Sequence, residues 1–195
     1  ECWNPKFGRC LAVADEEEFG LLITWTCYGT WLPGDKRGYV SDSFRPDGSR
    51  IPKENTPGTA YSDGDQYTRR LARQRQKWPT VYLNAEQAAV VVQRLVTSAV
   101  ERDWRILRSA VMSNHVHVVV VDCPEDGPGV RRALKGPTQA RLSEDARRPR
   151  RWWTQGGSDR YLYGENAIQR AVNYVATQHG ILAEIIDMVV VEKQK

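Results

Sequence analysis

The order of apolar and polar positions divides the chain into segments of two periods. Residues 19–28 form an apolar run rich in β-branched and aromatic side chains that stops at Gly29 and Pro33-Gly34, and they predict a central strand. From Asp35 to about Thr80 the chain turns polar, with Pro46, Pro52 and Pro57, and reads as a long surface excursion holding one short helix near residues 67–76. Loops of that length inside a compact domain usually carry function. Asn84 is placed to cap a helix, with Gln87 three residues on, and Ala88, Val91, Val92, Leu95 and Ala99 recur at helical spacing. Residues 104–112 and 115–121 predict two strands joined at Ser113-Asn114, a hairpin. Residues 130–146 predict a basic helix that Gly136-Pro137 should interrupt or restart. An aromatic, strand-like piece follows at 152–163. The last helix is expected over 165–178, with Ile168, Ala171, Val172 and Val175 as its apolar stripe and Gly180 as its stop. Strand, helix, strand, strand, helix, strand-like piece and helix in that order predict an α+β fold: an antiparallel sheet with helices packed on it.

Length and composition add bounds. At 195 residues the chain is expected to form one domain, residues 1–195, with its recognisable core at about 21–180 and a polar insertion at 35–80. The apolar stretches 118–121 and 188–191 fall far short of the about 18 residues a membrane span needs. Residues 16–18 are acidic, and the start lacks the basic, apolar, small-residue order of a secretory signal. The expectation is a soluble cytoplasmic protein without a membrane partner. Cys2, Cys10, Cys27 and Cys123 form no CxxC pair and are expected to be free thiols rather than zinc ligands.

Charge changes the picture through its placement. The net charge is +4, but residues 66–78 hold Arg69, Arg70, Arg73, Arg75 and Lys77 with no acid. Residues 130–151 hold Arg131, Arg132, Lys135, Arg141, Arg147, Arg148, Arg150 and Arg151 against Glu144 and Asp145. Such clustering suits a phosphate backbone, whose condensed counterions are released as each phosphate is neutralised. A solvated basic surface satisfies charge alone equally well.

Two small constellations carry chemistry. In Asn114-His115-Val116-His117 the two histidines sit at i and i+2 of a strand, so their side chains leave one face about 6–7 Å apart. Neutral imidazoles side by side suit a divalent ion, although structural histidines at a strand edge would show the same spacing. Tyr174 and Gln178 stand at i and i+4 on the last helix, so a phenol and an amide share a ridge beside the apolar stripe. A tyrosine at such a margin also fits simple packing.

Taken together, Ser113-Asn114-His115-Val116-His117-Val118-Val119 and Tyr174-Val175-Ala176-Thr177-Gln178 resemble the HUH motif and the catalytic-helix motif of the single-tyrosine HUH transposases, both the insertion-sequence and the REP-associated types. Residues 24–35, Leu134-Lys135-Gly136 and residues 153–158 are similar to supporting stretches of that family, in the same order. The resemblance implies a ferredoxin-like fold, a Mg²⁺ or Mn²⁺ ion, and single-stranded, hairpin-forming DNA as substrate. It makes His115, His117 and Gln178 the metal ligands and Tyr174 the nucleophile of a 5′-phosphotyrosine intermediate. It implies a nucleoid-associated location when DNA is bound and leaves a homodimer with exchanged helices and a monomer both open. Two departures stand out. Many REP-associated members carry Asn-Pro after the tyrosine, where this chain has Gln178-His179, and the polar region 35–80 is longer than in compact members.

The chemistry is consistent with the parts. A phenolate holds a broken strand covalently until it is displaced, and an ion on two imidazoles and an amide oxygen keeps positions open for phosphate. Arg131, Arg132, Lys135, Arg141, Arg148, Arg150 and Arg151 are the expected DNA-backbone contacts. The alternative is a non-catalytic ferredoxin-like nucleic-acid-binding domain with a vestigial site. Residues 116–121 lack the aromatic positions an RNA-recognition module needs. A two-histidine phosphodiesterase would need a second His-x-Ser/Thr motif, which His179 does not supply.

Overall fold

The computed structural model describes residues 19–35, 64–124, 126–146 and 150–192. Six strands and four helices alternate along them: β1 (Phe19–Thr26), α1 (Gln66–Gln74), α2 (Ala85–Val100), β2 (Arg105–Met112), β3 (His115–Val121), α3 (Gly127–Asp145), β4 (Ser158–Tyr163), α4 (Glu165–Ala176), β5 (Ile181–Ile186) and β6 (Val189–Glu192). The strands form one antiparallel sheet in the order β4-β1-β3-β2-β5-β6. Its first four strands, with α2 and α3 as connections, have the βαββαβ order of the ferredoxin-like fold. The α+β expectation holds.

Strand alternation separates two cores. Leu21, Ile23 and Trp25 of β1 and Val116, Val118 and Val120 of β3 face α2 and α3, burying Val91, Val92, Leu95, Val130 and Leu134. The opposite face carries Leu22, Val119 and Val121 against Ile168, Ala171 and Val175 of α4. The helix stripes read from spacing are buried, except that Val172 is only partly so, and Asn84 and Gln87 form the anticipated capping box.

Three expectations need correction. First, α3 runs through Gly136-Pro137 without a break. The clash that usually bars helix before proline is with the preceding Cβ, which Gly136 lacks, and packing against α2 and the sheet holds the turn. Second, the aromatic piece 152–163 is a strand only from Ser158: Trp153 makes an isolated bridge to Cys27, and Gly156 (φ +80°) and Gly157 (φ +155°) bend the chain before β4. Third, β5 and β6 form a hairpin the sequence pattern did not announce. Its turn places Asp187 and Met188 in the left-handed region without the Asn-Gly or Asp-Gly that signals such turns. Contacts to β2 hold it instead, the Asp187 and Met188 amides donating to the carbonyls of Leu107 and Ile106 at 2.9 and 3.0 Å.

Candidate active site

The site begins with register. His117 lies opposite Thr24, and His115 opposite Thr26, so both imidazoles and both threonines project from the face that carries α4. The ring centroids are 4.9 Å apart, set edge to face at 87°. His117 is 6% exposed, and burial, helped by the neighbouring His115, pushes it down to about 4, so it is a neutral imidazole at pH 7. Its Nδ1 hydrogen bonds to Thr24 Oγ1 at 2.7 Å. His115 Nδ1 meets Asn114 Oδ1 at 2.6 Å. An amide oxygen only accepts, so this contact calls for a proton on His115 Nδ1.

Tyr174 comes to this pair from α4, 57 residues beyond His117. Its ring is 5.5 Å from that of His117, at 74°, and stays 50% exposed. The stripe of Ile168, Ala171 and Val175 seats the helix on Leu22 and Val119, and so turns Tyr174 toward the histidines. Gln178 is placed otherwise than its spacing implied. The helix ends at Ala176, so Gln178 lies past the C-cap, where its Nε2 donates to the Tyr174 carbonyl at 3.0 Å. Three of the four expected residues thus meet ring to ring, whereas Gln178 is bonded to the Tyr174 carbonyl.

The donor set is compatible with a divalent ion. His115 and His117 supply two oriented imidazoles, and among the described residues no group of three or more His, Cys, Asp or Glu could complete a site by itself. Cys27 and Cys123 contribute nothing here: both are free thiols, which burial pushes up to about 12 and about 11. Cys2 and Cys10 lie outside the described residues.

The basic residues separate into two groups. Arg131 pairs with Asp159 at 2.5 Å, and exposed Arg141 pairs with Glu144 and Asp145. Lys135 donates to the carbonyls of Thr154 and Gly156, both at 2.5 Å, so it ties down the loop before β4. Burial first, then Arg131 and Arg151, push its ammonium down to about 8. Arg132, Arg150 and Arg151 have no carboxylate partner among the described residues, and with Lys135 they line one groove. Arg148 lies outside the described residues, as does most of the 35–80 insertion.

Sequence reasoning placed Thr24 in a supporting stretch without naming it as the hydrogen-bond partner of His117.

No family model matches the chain, and no curated protein does. Among solved structures it is similar to a REP-associated tyrosine transposase bound to a REP hairpin. The TM-score is 0.41 and the identity 10%, over 82% of this chain and 65% of that one, a distant structural relationship. Among the described residues no helix is long and apolar enough to cross a membrane.

Proposed function

We propose that the chain is a tyrosine-nucleophile DNA strand transferase that cleaves and rejoins single-stranded, hairpin-forming DNA with a divalent ion, Mg²⁺ or Mn²⁺. The observation that carries the reading is the meeting of the Tyr174 and His117 rings at 5.5 Å, beside a second imidazole, His115, whose ring is 4.9 Å from that of His117. His115, His117 and the Gln178 amide oxygen would hold the ion, which when bound polarises non-bridging phosphate oxygens and stabilises negative charge on the departing oxygen. Thr24 and Asn114 fix the ring orientations. Tyr174 Oη attacks phosphorus: an Oη–P bond forms, the P–O3′ bond breaks, the phenol proton is released and the 3′-oxygen takes up a proton. A free 3′-hydroxyl reverses these steps, rejoining DNA and restoring the phenol. Tyr174 is half-exposed, which leaves it open to approach by a strand.

The test is chemical. The full chain is mixed with Mn²⁺ or Mg²⁺ and labelled oligonucleotides carrying a fixed hairpin flanked by randomised unpaired sequence, and denaturation-resistant adducts are scored. Wild type should form the adduct. Tyr174→Phe should not, while keeping its fold and its DNA affinity. An adduct at the wild-type rate with Tyr174→Phe, or none from wild type with either metal, would overturn the reading.

A further inference from the structure

We propose that the groove between α3 and the loop preceding β4 binds unpaired nucleotides next to the cleaved phosphate, with Trp78 as a face on which a base stacks. The inference rests on the single-stranded DNA reading above. The groove has a volume of about 640 Å³, the size of a small-ligand site, and no Asp or Glu lines it. Arg132 and Lys135 form its α3 wall, and Arg150 and Arg151 its loop wall. With no carboxylate partner among the described residues, Arg150 lies 5.0 Å over the Trp152 ring and Arg151 5.9 Å over Tyr28. Like charges so gathered suit a polyanion, whose binding relieves their repulsion and releases counterions.

Trp78 adds a signal that charge does not. It is 45% exposed and lines the groove, so part of the indole is open to a flat ligand lying there. It is also held. Tyr28 Oη accepts from the Lys77 amide at 3.1 Å, and the Tyr28 carbonyl accepts from the Val81 amide at 2.9 Å, so one tyrosine positions both the Trp78 segment and Arg151. The opposite wall is equally fixed, because the Gln139 side chain accepts from the Trp152 amide and donates to the Arg150 carbonyl. An indole face beside phosphate-binding cations recognises a base and its backbone together, and only an unpaired strand offers the base face.

The groove also borders β1, the strand paired with β3. Thr154 lines it, and Thr154 Oγ1 accepts from Thr26 Oγ1 at 3.0 Å. Thr26 is the register partner of His115, so the groove floor and the His115 strand are about two strand spacings, roughly 10 Å, apart. The groove is on the α3 face of the sheet and the histidines are on the α4 face, so a strand in the groove would reach the site around the sheet edge where Thr154 meets Thr26.

The experiment is fluorescence anisotropy with the full chain, using a labelled single-stranded oligonucleotide of mixed sequence and a blunt duplex of the same sequence. Trp78→Ala should weaken single-strand binding roughly 5- to 100-fold and leave duplex binding within about twofold. Trp78→Phe should retain most of the affinity. Wild-type affinity in Trp78→Ala, or equal loss on single strand and duplex, would overturn the proposal. Adduct formation separates the two readings. Trp78-dependent binding without any adduct removes the strand transferase and leaves the groove, whereas an adduct with Trp78-independent binding removes the groove alone.

Discussion

His117 combines burial with a neighbouring imidazole, and the result can be read through stability. In the unfolded chain its ring takes up a proton as pH falls below the ordinary value of 6.5, while the folded ring resists until about 4. The unfolded state binds the proton first, so the contribution is complete above 6.5 and is lost as pH falls through that window. The difference corresponds to roughly 3 kcal/mol. With metal chelated, urea unfolding at pH 7 and pH 4.5 should show wild type losing about 2–3 kcal/mol more than His117→Gln. Equal losses would mean that this ring is not held neutral by the fold.

At the scale of elements, α3 tolerates two residues that disfavour helix, and they should be coupled. Pro137 removes a helical hydrogen bond, so Pro137→Ala should stabilise by about 1–3 kcal/mol. Beyond its chain neighbours, a Cβ at Gly136 meets nothing within 4 Å, but it would press on the proline ring. Gly136→Ala should therefore gain nothing alone and about 1 kcal/mol in the Pro137→Ala background, a coupling that a double-mutant cycle by thermal denaturation measures. The bend before β4 behaves oppositely. A Cβ at Gly157 would come within 2.6 Å of the Thr24 carbonyl, in a conformation L residues rarely adopt. Gly157→Ala should cost at least about 2 kcal/mol in chemical denaturation and disturb Thr24, the partner of His117.

Across the whole molecule, charge is divided between structure and surface. Arg108 and Glu184 form a largely buried pair, 2.5 Å apart, that links β2 to β5. Glu184→Ala would strand the Arg108 charge and should cost about 3–5 kcal/mol in equilibrium unfolding. Of the groove cations, Arg132 and Arg151 are exposed and should register in salt dependence. If single-stranded DNA occupies the groove, Arg132→Ala should reduce the slope of log affinity against log salt by about 0.7, the contribution of one phosphate. Arg141→Ala should leave it nearly unchanged, because Arg141 already has Glu144 and Asp145. Equal slopes for both variants would place the phosphate contacts elsewhere.

Much of the fold was legible from local pattern. The period-2 runs at β1, β2 and β3 and the stripes of α2 and α4 follow from which side chains must leave water, and the i, i+2 spacing of His115 and His117 on a strand determines that they share a face. What spacing could not supply was the outcome of contacts between distant segments. The β5–β6 hairpin has a turn of Asp187 and Met188 that only β2 makes favourable. Helix α3 passes Pro137 because its neighbours hold it, and Gln178 leaves the helix to cap the Tyr174 carbonyl. The split of the basic residues also belongs to the tertiary structure: a carboxylate 28 residues away neutralises Arg131, while Arg132 next to it faces the groove. Local periodicity determines which face a side chain leaves by, and only packing decides what it meets there.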